Sequence, residues 1–147
     1  MLSELSQINW ILFFHIAGII IGLGAVTVID FMGFISRKNK KWTQTTIQAH
    51  HITKPLIWIG TILVILSWIF IILKEGFTNI NSVKSIILVI LILNGSFLSF
   101  YISPRLDKLA GENTLLPKHL QNRIAISMII SFIGWWSFVI LTIAKFS

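Results

Sequence analysis

Four apolar segments, each long enough to cross a lipid bilayer as a helix, constrain this sequence more than any other feature. They cover about residues 8–35, 55–73, 83–102 and 124–143, and a spanning helix needs ~20 mostly apolar residues. The segments are unbroken rather than alternating, which argues against β-strands. Because 55% of the 147 residues are hydrophobic and 12% are charged, a soluble domain could not hide this apolar surface. We therefore predict an all-α integral membrane protein in contact with the lipid bilayer, a single four-helix transmembrane bundle over residues 1–147 with up-down-up-down topology.

Basic residues are concentrated at one end of this predicted bundle. We call the end that holds the first connector, residues 36–54, the basic side, and the opposite end the far side. The basic side carries Arg37, Lys38, Lys40, Lys41, Lys54, Arg105, Lys108, Lys118 and Arg123, whereas the far side carries Lys74, Lys84 and Lys145. The positive-inside rule places the basic loops in the cytoplasm and both termini outside. We expect an integral protein of a prokaryotic plasma membrane that retains its first segment, which is too long for a signal peptide.

Several classes of protein find no support in the composition. The chain has no cysteine, which removes disulfides, thiolate nucleophiles and thiolate ligands for haem or iron–sulfur clusters. The net charge is +7, but its basic residues stand in short loops beside apolar segments, so we expect no nucleic-acid partner. The glycine-rich string "GIIIGLG" lies inside a membrane segment and not between a strand and a helix, so it does not indicate a phosphate-binding loop.

His15 is the first ionisable residue inside the apolar segments, and two interpretations of it remain open. It lies ~10–15 Å below the far side, counting 1.5 Å per helical residue. Gly18, Gly22, Val26 and Gly33 fall on the same helix face. In one interpretation a flat cofactor lies on the Gly18 and Gly22 strip, with His15 as the axial metal ligand. In the other, the two glycines form a small-residue contact with another helix, and His15 donates to a backbone carbonyl.

The position of the other polar groups limits the metal chemistry open to His15. Asp30 lies ~22 Å further along the same helix, and the remaining histidines, His50, His51 and His119, lie on the basic side. A haem iron bound by His15 therefore cannot take a second histidine of the same chain as ligand. The second axial ligand would be water, Lys84, a residue of another protomer, or absent. Lys84 begins the third segment on the far side, where a lysine either extends to water or pairs with an acidic group such as a propionate.

The first and third segments resemble two families of membrane proteins. The string "VKSIILVILILNGSFLSFYISPRL", residues 83–106, resembles the CopD-type copper-resistance membrane domain in its early lysine, central asparagine and final "PRL". The "VK" with its following aliphatic residues, and the histidine of "FFHIAGIIIGLGA", resemble HemJ, the four-helix protoporphyrinogen oxidase. This resemblance implies haem b held by His15, a catalytic Lys84 and a porphyrin-type substrate. The sequence departs from HemJ at Ser82 and Val83, and again at Asp30, Phe31 and Met32, where HemJ-like chains carry His or Arg.

A second group of polar residues is predicted to meet on the basic side. Its members are Asp30, His50, His51, Asn94, Tyr101 and Arg105. We expect an Asp30–Arg105 ion pair within this polar cluster. The cluster is interpreted as a structural clamp, as a route for proton delivery from the cytoplasm, or as a metal site of Asp30 with His50 or His51.

Small and aromatic residues of the apolar segments give a few further expectations. Ser127, Ser131, Gly134 and Ser137 recur at roughly helical spacing, as in a packing stripe. Trp135 and Trp136 lie too deep for an aromatic belt and are expected in helix or cofactor contacts. The belt at the membrane interface is assigned to Trp10, Trp42 and Trp68.

Three functions are compatible with these residues. The first is a haem b-binding membrane redox protein, an oxidoreductase that oxidises a porphyrinogen, in which His15 binds the metal and Gly18 and Gly22 admit the ring. The second is a small transporter of protons, copper or another ion, which would need a homo-oligomer because four helices enclose little space. The third is a non-catalytic membrane subunit that packs against a partner through its glycine and serine faces.

Overall fold

The protein folds as a bundle of four long helices. The computed structural model describes residues 2–112 and 114–146, with side chains described for 10–112 and 114–144. The elements are α1 (Leu2–Ser36), α2 (Lys40–Glu75), α3 (Asn79–Ser96), a π-helical segment (Phe97–Ile102), α4 (Ser103–Asp107) and α5 (Lys118–Phe146). The third segment of the sequence is thus one continuous span made of α3, the π-helical segment and α4. Four spans, Trp10–Ser36, Lys40–Glu75, Asn79–Asp107 and Lys118–Ala144, are long and apolar enough to cross a membrane. This confirms the predicted all-α four-helix membrane bundle.

Helix α2 begins well before its predicted membrane segment. Asn39 caps its N-terminus, since the side-chain oxygen accepts hydrogen bonds from the Lys41 and Trp42 amides. Pro55 stands inside the helix and cannot donate to the carbonyl one turn earlier. Beside it, the Thr53 hydroxyl donates to the Ala49 carbonyl. The stretch before Pro55 is therefore part of the same helix.

The hydrogen bonds between spans show how the helices run. His15 of α1 meets Ser67 near the end of α2, whereas Ser36 meets Thr43 near its start. In the same antiparallel way, α2 bonds to the third span through Trp68–Ser85 and Lys54–Ser103. The third span bonds to α5 through Asn94–Ser131 and Tyr101–Arg123. Successive spans are antiparallel, which confirms the up-down-up-down topology.

Glycines bring α1 and α2 into close contact. A Cβ atom on Gly60 would lie 2.5 Å from the Gly22 amide nitrogen and 2.7 Å from the Gly18 carbonyl oxygen. On Gly22, a Cβ atom would lie 2.6 Å from the Trp135 ring. Backbone approach at this distance requires glycine at the crossing. The structure therefore uses Gly18 and Gly22 for helix packing, which is the second interpretation of the glycine strip.

The π-helical segment, Phe97–Ile102, leaves one carbonyl without a backbone donor. In a π-helix each carbonyl accepts from the amide five residues later, which for Ser99 is Pro104, a residue without an amide hydrogen. The Lys54 ammonium of α2 approaches the Ser99 carbonyl at 3.4 Å and the Ser103 hydroxyl at 3.3 Å. The Trp58 indole donates to the Ser99 hydroxyl at 2.8 Å. Side chains of α2 thus donate the hydrogen bonds that the backbone of the irregular turn cannot supply.

Buried and exposed aromatic residues correct part of the sequence analysis. Trp68 is 3% exposed, so it belongs to the bundle core and not to an interfacial belt. Trp135 is buried as expected, but Trp136 is 43% exposed and lies on the outer surface. Trp10 and Trp42 are exposed, as an interfacial position requires. Most large apolar side chains of the spans face outward as well, which suits contact with lipid.

Candidate functional site

Two buried polar sites lie at opposite ends of the bundle. The first, which we call the far-side site, consists of His15, Ser67, Trp68, Lys84 and Phe138. His15 and Lys84 are each 1% exposed and Phe138 is also 1% exposed. Ionisable side chains buried to this degree inside membrane spans are uncommon and mark functional sites by default.

The histidine of the far-side site is held by a hydroxyl and two rings. His15 Nδ1 lies 2.9 Å from Ser67 Oγ. Because the Ser67 hydroxyl donates to the Leu63 carbonyl at 2.7 Å, it accepts the hydrogen of Nδ1. The imidazole also contacts the Trp68 ring, at 5.9 Å between centroids and 26° between planes, and the Phe138 ring at 5.7 Å.

The lysine of the far-side site lies against the same two rings. Lys84 Nζ is 4.4 Å from the Trp68 ring centroid and 4.7 Å from that of Phe138. These are cation–π distances. One turn earlier, Asn81 donates to the Gly76 carbonyl at 2.9 Å and fixes the start of α3. Lys84 is therefore buried. The interpretation in which this lysine extends to interfacial water is wrong.

The far-side site does not fit a haem group in this packing. Gly18 is covered by Gly60 and its neighbours in α2, and Gly22 is covered by Trp135. The imidazole of His15 is packed against Trp68 and Phe138. A flat macrocycle would need the surfaces that these protein groups fill. Haem b thus stays a prediction of the resemblance that the observed contacts do not favour.

The second site lies on the basic side, around a cavity of about 80 Å³. We call it the basic-side cavity. Asp30 and His50 line it, together with apolar side chains that include Ile47, Ile57, Leu98, Ile102, Leu106 and Met128. Asp30 Oδ2 and His50 Nε2 are both buried, and neither has a hydrogen-bond partner among the residues that the structure describes. Buried polar atoms without a partner are exceptions in folded proteins, so this pair needs an explanation.

Asp30 also borders a smaller cavity nearer the bundle centre. This cavity measures about 40 Å³ and is lined in part by Thr61, Ser131 and Trp135. Beyond it, buried apolar side chains separate the basic-side cavity from the far-side site. Ile19, Val64, Leu88 and Leu91 form this layer. No residue of the far-side site lines either cavity, so the two polar sites are separate, as the helical spacing of His15 and Asp30 predicts.

The polar cluster predicted on the basic side is divided into separate groups. Asp30 and His50 share the basic-side cavity. Asn94 instead bonds to Ser127 and Ser131 of α5. His51 lies 3.4 Å from Asp107 at an exposed position.

The predicted Asp30–Arg105 ion pair is absent from the described part of the chain. Arg105 donates to the Tyr101 carbonyl and stacks on the Tyr101 ring at 3.5 Å. Its guanidinium is thereby directed along its own span and not toward α1.

Metal-ligand groups are sparse in the described residues. These residues include no group of three or more His, Asp, Glu or Cys side chains placed to hold a metal ion. Asp30 and His50 supply two such side chains at one cavity, whereas His51 faces Asp107. A carboxylate–imidazole metal site would therefore need ligands from outside this set.

Three members of the far-side site were not predicted from the sequence as parts of a site. Ser67, Trp68 and Phe138 all stand in uniformly apolar segments, where no polar face marks the inward side. Helical spacing of Gly60, Val64 and Ser67 gives a partial signal, since these small side chains follow one face of α2.

Comparison of the chain with protein-family models, curated proteins and solved structures gave no match in any of the three.

Proposed function

We propose that this chain transfers protons in a membrane, as a small proton channel or proton-coupled transporter. One observation carries the proposal: Asp30 and His50 border the same cavity inside the spans, and each has a buried polar atom without a partner in the described protein. Proton relays in membrane proteins are built from such carboxylates and imidazoles.

The size and position of the basic-side cavity suit water between the two groups. A water molecule needs ~10–15 Å³ of such space and two to four polar partners, and the cavity measures about 80 Å³. Water there can bond to Asp30 Oδ2 and His50 Nε2. A proton taken up by the imidazole then passes through water to the carboxylate. His50 carries it as imidazolium and Asp30 as the neutral acid.

The position of Asp30 also gives the proton a way onward. Asp30 also lines the smaller cavity, together with the hydroxyl-bearing residues Thr61 and Ser131. The apolar layer of Ile19, Val64 and neighbouring side chains then separates it from the far-side site. Apolar constrictions of this kind gate conduction by excluding water. Transfer across the whole bundle therefore requires this layer to open, within one protomer or between protomers.

The decisive test is proton flux into liposomes that contain the purified protein. A potassium gradient with valinomycin sets the membrane potential, and a trapped pH-sensitive dye reports proton entry. We expect Asp30→Asn to reduce the rate at least about tenfold, since the amide cannot carry the proton. His50→Gln should also reduce it. His51→Gln is the matched control, because His51 is adjacent in sequence but exposed, and its flux should equal that of the wild type.

Two results would overturn the proposal. One is the absence of flux above that of empty liposomes throughout pH 5–8, the range in which histidine changes charge. The other is wild-type flux in Asp30→Asn. Absence of flux would favour the hypothesis of a membrane subunit that needs a second protein.

The redox hypothesis retains one supporting observation. His15 and Lys84, the two residues that the resemblance to HemJ singles out, lie against one pair of aromatic rings. The side chains around them leave room for the two ionisable groups, but they fill the surfaces that a macrocycle would need. We therefore do not propose haem chemistry for this site.

A further inference from the structure

Two arginine side chains from different helices converge on one tyrosine at the basic end of the bundle. The Arg105 guanidinium lies 3.5 Å from the centroid of the Tyr101 ring, and that of Arg123 lies 5.1 Å from it. Arg123 also donates a hydrogen bond to the Tyr101 hydroxyl. We call these three residues the double-arginine site. We propose that it binds the phosphate of an anionic phospholipid headgroup.

The charge of the site is the first argument. Arg105 and Arg123 are exposed, and among the described residues neither forms an ion pair within 4.0 Å. Two guanidinium groups at one ring repel each other unless an anion lies between them. Phosphate matches the planar guanidinium fork, which binds it through paired N–H···O bonds.

The rigidity of the site is the second argument. Tyr101 stacks on Phe97 with ring centroids 5.1 Å apart and planes 15° apart. Arg105 is held by the Tyr101 carbonyl as well as by the ring. The guanidinium groups are therefore positioned before a ligand binds, which lowers the entropy lost on binding.

The surface below the site distinguishes a lipid from free phosphate. Toward the bilayer centre, the same two helices expose large apolar side chains. These are Leu93, Phe97 and Phe100 of the third span, and Ile126 and Ile130 of α5. A phospholipid would place its phosphate at the arginines and its acyl chains along this surface. An anionic lipid suits the site better than a zwitterionic one, because none of the three residues carries a carboxylate that would attract a cationic headgroup.

The test is a titration of the purified full chain with mixed micelles of constant lipid content. Phosphatidylglycerol replaces phosphatidylcholine stepwise, and the thermal unfolding midpoint is recorded at each step. We expect the midpoint to rise and saturate with phosphatidylglycerol. Arg105→Gln and Arg123→Gln should each raise the half-saturating fraction about fivefold, the effect of ~1 kcal/mol per arginine at an anionic surface. Lys38→Gln, an exposed basic-side control, should leave it unchanged.

Three outcomes would overturn the proposal. The first is equal stabilisation by phosphatidylcholine. The second is an equal shift in Lys38→Gln, which would indicate general charge attraction. The third is full stabilisation by inorganic phosphate in place of phosphatidylglycerol, which would indicate a site for free phosphate. Tyr101→Phe keeps the ring but removes the hydroxyl that orients Arg123. Tyr101→Phe should raise the half-saturating fraction of phosphatidylglycerol, but less than either arginine variant does. If an arginine variant does not fold, an unchanged half-saturating fraction in Tyr101→Phe would count against the proposal.

Discussion

His15 and Lys84, from the first and third spans, lie against the same two aromatic rings. The imidazole is 5.9 Å from Trp68 and 5.7 Å from Phe138 between ring centroids. The lysine ammonium is 4.4 Å and 4.7 Å from the same two ring centroids. Among the described residues, Lys84 forms no ion pair within 4.0 Å. Its charge is thus held in the bundle by ring faces and not by a carboxylate.

Replacing this lysine by a neutral side chain of similar length should stabilise the protein. Cation–π contacts contribute ~0.5–2 kcal/mol, whereas burying an ion costs several kcal/mol. We expect Lys84→Met to raise the free energy of unfolding in detergent by about 1 kcal/mol or more. Lys74→Met, at an exposed position on the same side, serves as the control and should change it little. A Lys84→Met protein less stable than the wild type would show that the ammonium itself holds the helices together.

The packing around His15 also makes a prediction for haem b. Because the glycine strip is covered by α2 and by Trp135, protein purified after expression with added haem precursor should show no Soret band. Addition of haemin to the purified protein should give the same weak spectrum for the wild type and His15→Ala. A Soret band in the wild type that His15→Ala abolishes would contradict this prediction and restore the redox hypothesis.

The sequence predicts the helices and the two levels of buried polar residues for simple physical reasons. Apolar segment length determines the spans, and a rise of 1.5 Å per residue determines that His15 and Asp30 lie at different depths. The same counting places Lys84 on the same side of the membrane as His15, but at the start of its segment and not at the depth of His15. Depth is thus predictable from one chain, because it needs only the ends of each span.

Which side of a helix faces the core is harder to predict here. Segments in lipid are apolar all round, so periodicity does not mark the inward face. Phe138 was therefore not assigned, and Trp68 and Trp136 were assigned to the wrong surroundings. The predicted Asp30–Arg105 ion pair was wrong for another reason. Arg105 donates to the Tyr101 carbonyl and stacks on the Tyr101 ring, both within its own span.

The crossing of α1 and α2 gives a prediction with a matched control. A Cβ atom on Gly60 would lie 2.5 Å from the Gly22 amide nitrogen, and backbone cannot move aside as a flexible side chain can. Gly60→Ala should therefore destabilise the bundle by about 2 kcal/mol or more, in the range of overpacked cores. Gly24→Ala, whose Cβ would meet nothing within 4 Å, should be neutral or stabilising by up to ~1 kcal/mol. Unfolding in detergent measures both variants, and equal behaviour would show that the crossing tolerates a wider spacing.

Asn94 gives the last prediction, because it joins the third span to α5 through three hydrogen bonds. Its amide nitrogen donates to the Ser127 carbonyl at 3.0 Å and to Ser131 Oγ at 2.8 Å, and its oxygen accepts from Ser127 Oγ at 2.7 Å. Hydrogen bonds between membrane helices contribute ~0.6 kcal/mol on average and up to ~1.7. Asn94→Ala should therefore cost about 1–3 kcal/mol in total. In a double-mutant cycle with Ser131→Ala the two losses should not add, because one bond is counted in both. Ser137→Ala, also in α5, is the control, and its loss should add to that of Asn94→Ala. If the losses of Ser131→Ala and Asn94→Ala also add, the Asn94–Ser131 hydrogen bond contributes nothing to the stability of the bundle.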